Sequence, residues 1–145
     1  MRWPATFLCM IMVLIAGCGR TSSALEAEQL RTIDRYVAAY NARQLDDMAA
    51  LMHPDIQWLS VEGAAVTLVA DGKDDLVAQM RDYIASPRAT VSSIESSVAD
   101  GDFIAVREKA RWRGEDGAEN AQSALAVYQV SDGLVRRVWY YPSSR

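Results

Sequence analysis

The stretch AVREKARWR, residues 105–113, alternates between two kinds of side chain at every step. Successive side chains of an extended strand point to opposite faces, so the stretch has two unlike faces. One face carries four cations: Arg107, Lys109, Arg111 and Arg113. The other carries three apolar residues and one carboxylate: Val106, Glu108, Ala110 and Trp112. Four cations cannot be buried unpaired, so we predict that they meet water and that Glu108 points inward.

The rest of the C-terminal half continues the β pattern. Residues 91–98, 122–130 and 134–141 have the composition of strands, as do residues 103–113. The breaks between them are ADGD at 99–102, GEDG at 114–117 and SDG at 131–133, and each contains the Asp-Gly pair of hairpin turns. We therefore predict four consecutive antiparallel strands.

The N-terminal half mixes helices and strands. Ser23 and Glu26 form a capping box at the predicted start of a first helix that runs to about Asn41. Its apolar residues recur every three or four positions: Leu30, Ile33, Val37 and Tyr40. A short second helix is predicted over residues 45–52, a strand from Asp55, and a second strand ending at about residue 69. A third helix begins in ADGKDD, residues 70–75, and ends at Pro87.

This order of elements predicts an α+β fold in which three helices from the N-terminal half pack against one face of an antiparallel sheet. The other face must then be polar or meet a partner chain. The cations between residues 107 and 113 fit a polar outer face.

The segment RYVAAYNARQLDDMAALMHPDIQW, residues 35–58, resembles the opening of the nuclear transport factor 2 superfamily, which includes ketosteroid isomerase and the SnoaL-type cyclases. The resemblance implies one nuclear transport factor 2-like domain over residues 28–145, a cone-shaped curved sheet with three helices around a pocket. It does not fix the activity, because the fold hosts isomerases, cyclases, dehydratases and pure binding or dimerising modules.

The residues of ketosteroid isomerase carry over at one position. Tyr36 falls where that enzyme has the tyrosine that stabilises the enolate oxygen, but Ser60 and Ala126 stand where its two catalytic carboxyl groups would be. Glu108 is the candidate replacement, because a carboxyl group among apolar residues can act as an acid or a base. The alternative is structural: Glu108 hydrogen-bonds a tyrosine or a backbone amide inside the cone, or pairs with an arginine.

Aromatic residues accompany Glu108 on the predicted concave face. We expect the following residues there as a ligand-binding wall: Trp58, Ser60, Trp112, Tyr128 and Tyr140. Core packing alone would give the same pattern. Trp139 and Tyr141 are predicted to face outward with Arg137, where they would suit a homodimer surface.

The N-terminus carries the pattern of an export signal. Arg2 precedes an apolar run over residues 7–16, which is too short to span a bilayer. The end of the run, LIAGC, resembles a bacterial lipobox and implies removal of residues 1–17 and acylation of Cys18. Residues 18–27 would then be the lipidated cysteine and a tether to the outer membrane, facing the periplasm. An ordinary cleaved signal or a short anchor is the alternative.

Several functional classes are disfavoured by composition. Without Arg2 the chain has 14 basic and 19 acidic side chains, a net charge of −5, which does not suit binding to nucleic acid. His53 is the only histidine, so no metal site is expected, and the chain has no glycine-rich phosphate loop, so no cofactor is expected either. Three hypotheses remain. The first is a lipid-anchored module that binds a small hydrophobic molecule or an envelope protein, and the second is an isomerase, cyclase or dehydratase that uses Glu108 and Tyr36. The third is a dimerising structural element of the envelope with a collapsed core.

Overall fold

The computed structural model describes the backbone of residues 18–143 and the side chains of residues 23–143. The predicted signal peptide, residues 1–17, and the predicted acylated side chain of Cys18 lie outside the described residues. The helices are α1 (Cys18–Asn41), α2 (Leu45–Ala50) and α3 (Lys73–Ala85). The strands are β1 (Met52–Glu62), β2 (Ala65–Asp71), β3 (Val91–Asp100), β4 (Phe103–Arg113), β5 (Glu119–Ser131) and β6 (Leu134–Tyr141).

The six strands form one curved, unclosed sheet in the order β2-β1-β6-β5-β4-β3. Every neighbouring pair is antiparallel except β1 and β6, which are parallel. The predicted α+β fold is confirmed, including the four-stranded meander of the C-terminal half. The strand bounds Phe103–Arg113 and Leu134–Tyr141 also agree with the prediction.

Several element boundaries differ from those predicted: β2 and β3 each end two residues later than expected, and β5 is longer than expected at both ends. Helix α1 begins at Cys18 rather than at Ser23, so the backbone of the segment expected to be a tether is helical. Helix α2 ends at Ala50, and β1 begins at Met52. The early start of β1 has a long-range cause: Met52 already pairs with Val135 of β6 before the register shifts around Pro54, which lacks an N–H group.

The core lies between the helices and the concave face of the sheet. Helix α1 is fastened to β3 by Asn41, whose side chain exchanges two hydrogen bonds with the backbone of Ser92, of 2.7 and 2.8 Å. The described apolar side chains that are at most 1% exposed come from α1, β1, β2, β4, β5 and β6: Ile33, Met52, Ile56, Ala70, Ile104, Val106, Ala126, Tyr128, Val130, Val135 and Val138. Among the described residues, no helix is long and apolar enough to cross a membrane.

The two faces of β4 are arranged as the alternation predicts. Val106 is buried against the helices, whereas Arg107 and Arg111 are exposed on the convex face. The cations there are partly neutralised by Glu95, which lies 2.9 Å from Arg107 Nε and 3.4 Å from Lys109 Nζ. Glu108 is therefore separated from this row by the thickness of the sheet.

Candidate ligand cavity

A cavity of about 190 Å³ lies between α1, α3 and the concave face of the sheet. Six of the residues that line it are aromatic: Tyr36, Tyr40, Trp58, Tyr83, Tyr128 and Tyr140. The remaining lining residues are Val37, Met48, Met80, Thr90, Ser92, Glu108 and Ala110. Five of the six tyrosines of the chain thus meet at one place, with Glu108 as the charged side chain among the described lining residues.

Helical and strand periodicity together bring these side chains into one cavity. Tyr36 and Tyr40 are four residues apart and lie on one face of α1, and Met80 and Tyr83 are three apart on α3. From the sheet, β4 contributes Glu108 and Ala110, which are two residues apart and share its concave face. Trp58 of β1, Tyr128 of β5 and Tyr140 of β6 complete the wall.

Glu108 accepts a hydrogen bond inside the cavity. The hydroxyl of Tyr128, which is almost completely buried, donates to Glu108 Oε2 at 3.2 Å. Burial, and then the negative charge of Glu108, raise the pKa of Tyr128 well above its ordinary value, so this donor keeps its proton. The structural alternative for Glu108, a hydrogen bond with a tyrosine inside the cone, is therefore what the structure contains.

Tyr36 has no such partner. Its side chain is 2% exposed, and its hydroxyl makes no hydrogen bond with any described residue. Burial, and then the charge of Glu108, raise the pKa of Tyr36 far above the ordinary value for tyrosine. The cavity thus contains a protonated hydroxyl with an unused donor, an arrangement that costs about 1–3 kcal/mol when the group is buried. Among the described side chains only Gln29 Oε1, outside this cavity, is also buried without a partner, so the Tyr36 hydroxyl is the one such group in the cavity wall.

The six aromatic rings form three contacting pairs. Tyr36 and Tyr128 pack edge to face with ring centroids 6.4 Å apart, and Trp58 and Tyr140 pack tilted at 6.2 Å. Tyr40 and Tyr83 are stacked at 6.4 Å. Each pair joins two different elements of the fold, so the pairs fix the walls of the cavity as well as line them.

Thr90 connects two residues that we did not predict as part of the site, Tyr40 and Tyr83. The Tyr40 hydroxyl lies 2.7 Å from Thr90 Oγ1, and the Tyr83 hydroxyl lies 3.4 Å from it. Burial raises the pKa of Tyr40 to about 12. The helical spacing of both tyrosines was visible in the sequence, but it predicts core packing as readily as a cavity wall.

The predicted ligand-binding residues fall into two groups. Trp58, Tyr128 and Tyr140 line the cavity together with the predicted catalytic pair, Glu108 and Tyr36. Two other predicted residues lie outside it. Trp112 lines an adjoining surface groove of about 400 Å³, which shares Tyr83, Thr90, Ala110 and Tyr140 with the cavity. Ser60 lies two residues beyond Trp58 on β1, opposite Tyr140, and is not a lining residue.

No described part of the chain offers a metal site. Among the described side chains, those of residues 23–143, no three His, Cys, Asp or Glu are grouped so that they could hold an ion. The only histidine, His53, has a local structural role, since its Nδ1 accepts a hydrogen bond of 3.0 Å from the backbone N–H of Asp55. The acid-base groups of the cavity are therefore Glu108 and the tyrosine hydroxyls.

Comparison with known proteins identifies the family. The sequence model of the SnoaL-like domain matches residues 33–138, which is well over half of the chain. All of the residues that line the cavity except Tyr140 fall within that span. The chain belongs to the SnoaL-like domain family. The match covers α1 from Ile33 onward and the first five residues of β6, so this SnoaL-like domain includes both sides of the cavity. No curated protein matches the chain.

Solved structures share the fold of this SnoaL-like domain. An uncharacterized cystatin-fold protein from Novosphingobium aromaticivorans is 22% identical, with a TM-score of 0.65 over 77% of this chain and 96% of its own. AclR of Streptomyces galilaeus is 22% identical, with a TM-score of 0.66 over 83% and 92%. An LEH-like epoxide hydrolase from M. tuberculosis is 16% identical, with a TM-score of 0.68 over 81% and 84%. At these identities the likeness shows the nuclear transport factor 2-like fold.

Proposed function

We propose that this SnoaL-like domain binds one small molecule with a largely apolar surface in the cavity beside Glu108. The observation that carries the proposal is the cavity wall, six aromatic side chains around one carboxylate and one unpartnered hydroxyl. Its volume of about 190 Å³ limits the ligand. An apolar cavity of about 150 Å³ accepts benzene, so a molecule with a single ring, or of similar size, fits and a polycyclic one does not.

The test is to fill the cavity and look for loss of the bound molecule. Ala110→Phe places a ring in the cavity, whereas Ala121→Phe places the same ring on the convex face of the neighbouring strand β5, outside the cavity lining. Native mass spectrometry of protein purified from its own host should show a bound small molecule in the wild type and in Ala121→Phe, and not in Ala110→Phe. An adduct that persists in Ala110→Phe would contradict the proposal.

An acid-base enzyme is the second candidate function, of the isomerase, cyclase or dehydratase kind. Two observations favour it: Glu108 and Tyr36 line one cavity, and Tyr36 keeps a proton that it can donate to a developing oxyanion. Glu108 would take or return the proton of the substrate. One neighbour in fold, the epoxide hydrolase from M. tuberculosis, is itself an enzyme.

Hydrogen exchange separates the two functions. The recovered ligand is incubated in D₂O with wild-type protein and with Glu108→Gln, which keeps an acceptor for Tyr128 but cannot take a proton. Deuterium incorporated at a carbon of the ligand by the wild type alone supports the enzyme. Retention of the same ligand by both proteins, with no incorporation, supports the binding module.

We also propose that the domain is held at the cell envelope. Acylation of Cys18 would place it on the outer membrane, facing the periplasm, and the lipobox-like LIAGC supports this. Gln29, the first buried residue among the described side chains of α1, lies only eleven residues after Cys18, so the cavity would lie close to the membrane surface. An envelope protein is then the alternative partner to a small molecule.

A homodimer is the assembly that we propose, through the convex face of the sheet. One register row there is apolar on all six strands: Leu68, Leu59, Trp139, Val127, Ala105 and Val98. Leu68 and Val98 are 47% and 73% exposed. The Trp139 ring contacts Phe103 at 6.1 Å, and Arg137 lies over it at 5.4 Å. A continuous apolar row of this kind supports a contact with a second copy.

A further inference from the structure

The cavity contains a negative charge and no positive charge among its described lining residues. Glu108 is half-buried in the wall, and no arginine, lysine or histidine lies among the described residues that line the cavity. The nearest cations in sequence, Arg107 and Lys109, point to the convex face and pair with Glu95. Within the described chain the carboxylate has the Tyr128 hydroxyl as a polar partner but no cation. A carboxylate withdrawn from water is stabilised most by a positive charge.

Two further cations lie near the wall, but both are held on the outside. Arg88 lines the adjoining groove, where its Nη2 donates to Glu115 Oε1 at 2.7 Å. The guanidinium of Arg43 lies 5.6 Å from the centre of the Tyr40 ring, and its Nη2 donates to the backbone oxygen of Ala89 at 2.8 Å. Arg43 is not a lining residue. It shows that a ring of this wall attracts a cation, and it leaves the charge of Glu108 inside the cavity unmatched.

The aromatic walls of the cavity also favour a positively charged ligand. The faces of tyrosine and tryptophan rings carry negative electrostatic potential and attract cations, most strongly where water is excluded. Five tyrosines and Trp58 surround the carboxylate in three ring pairs. Aromatic rings around one acidic group are the arrangement that recognises methylated ammonium groups.

We infer that the ligand of this cavity is an organic ammonium ion, a tertiary or quaternary amine no larger than a single-ring molecule. The inference rests on the proposed binding function and names its ligand class. The ammonium centre would lie beside Glu108 and against the rings, and the alkyl groups would contact Met48, Met80 and Val37. A metal ion is not expected in its place, since the described residues provide no group of metal-binding side chains. An anionic ligand would meet the charge of Glu108 with no cation to offset it.

Tyr36 adds a second requirement. Its unpartnered hydroxyl can hydrogen-bond a hydroxyl group on the same molecule, so an amino alcohol would use both polar groups of the cavity. The two contacts differ in kind: Glu108 would select for charge, and Tyr36 would contribute equally to charged and neutral ligands. This difference makes the inference testable with two substitutions in one cavity.

The experiment uses two probes of the same shape, choline and 3,3-dimethylbutan-1-ol, which differ by a positive nitrogen in place of a carbon. Binding of each to the full chain is measured by isothermal titration calorimetry. We expect choline to bind at least about tenfold more tightly, since a desolvated cation–π contact alone contributes that much. Glu108→Gln should reduce the ratio of the two affinities toward one. Tyr36→Phe should weaken both probes and leave the ratio unchanged.

The outcomes distinguish this inference from the proposed function. If the neutral alcohol binds in the cavity as tightly as choline or more tightly, the inference is wrong and the binding function stands. If neither probe binds, nor any other single-ring or smaller molecule, both are wrong. A preference for choline that survives Glu108→Gln would also overturn the inference, because the selection would then come from elsewhere.

Discussion

Replacing Tyr36 with phenylalanine should stabilise the ligand-free protein, whereas the same replacement at Tyr128 should destabilise it. Both residues are tyrosines in one cavity, their rings pack against each other at 6.4 Å, and each is at most 2% exposed. They differ in the hydroxyl: that of Tyr128 donates to Glu108, and that of Tyr36 has no partner among the described residues. Each variant therefore removes one buried hydroxyl, which is hydrogen-bonded at Tyr128 and unpartnered at Tyr36.

The magnitudes follow from these two hydrogen-bonding states. Removing the hydroxyl of Tyr36 removes an unsatisfied buried group, which should raise the free energy of unfolding by about 1 kcal/mol. Removing that of Tyr128 breaks a hydrogen bond to a carboxylate, worth about 1.5–3 kcal/mol. Because Glu108 is only half-buried, we expect the lower end of that range. The two variants should thus differ by about 2–3 kcal/mol, or roughly 10 °C in Tm for a domain of this size.

Urea unfolding followed by circular dichroism measures this difference directly. The midpoint should move to higher urea for Tyr36→Phe and to lower urea for Tyr128→Phe, and the m-value should be the same for both variants and the wild type. A loss of stability in Tyr36→Phe as large as that in Tyr128→Phe would refute the reasoning, because the Tyr36 hydroxyl would then be contributing a bond to the folded state. Equal m-values exclude a change in the unfolded state as the cause.

Three further predictions concern the surface and the anchor. Hydrogen bonds from Ser123 and then Arg107 lower the pKa of Glu95 below its ordinary 4.5, so this carboxylate stabilises the fold above that pH and the contribution is lost as the pH falls through the folded-state pKa. The Tm of Glu95→Gln should lie below that of the wild type at neutral pH, and the gap should close in acid; a gap that widens in acid would contradict the assignment. Trp139→Lys should convert the proposed dimer to monomer in sedimentation velocity without lowering the Tm of the monomer, and an unchanged sedimentation coefficient would count against the convex interface. Cys18→Ser should release the protein from the membrane fraction of its host, and unchanged membrane association would argue against acylation.

Local sequence patterns predicted β4 and β6 to the residue. Strand β4 lies between two Asp-Gly turns, and β6 directly follows a third. The alternation of side chains along both strands is regular, so neighbouring residues alone are enough to predict them. The start of β1 could not be predicted from neighbouring residues alone. Met52 enters the sheet because it pairs with Val135, more than eighty residues away and in a parallel direction that no local pattern shows.

The sequence predicted which face of the sheet carries the candidate site, but not which residues along that face line the cavity. Alternation along β4 correctly places Glu108 on the concave face, and the same argument applies to Trp112 four residues later. In the fold, however, Trp112 lines only the adjoining groove, whereas Glu108 lines the cavity. Periodicity identifies a face, whereas the separation of helix and sheet along that face depends on packing across the whole domain.

The hydrogen bonds in the cavity also could not be predicted from the sequence. Tyr36 was predicted from family resemblance and Tyr128 from alternation, but nothing in either pattern indicates which of them donates to Glu108. Tyr40 and Tyr83 occupy apolar stripes of α1 and α3 and are indistinguishable there from core residues. Only the folded arrangement shows that their hydroxyls meet at Thr90 and close one side of the cavity.

The tyrosine rings offer the most direct measurement of the central claim, that a ligand occupies the cavity beside Glu108. Five of the six tyrosines line that cavity, and Tyr141 lies on the convex face as an internal control. With ¹³C-labelled tyrosine rings assigned by single Tyr→Phe substitutions, a titration with the bound molecule should shift the signals of Tyr36, Tyr128 and Tyr140 and leave that of Tyr141 in place. Shifts confined to Tyr141, with the cavity signals unmoved at saturation, would contradict the account.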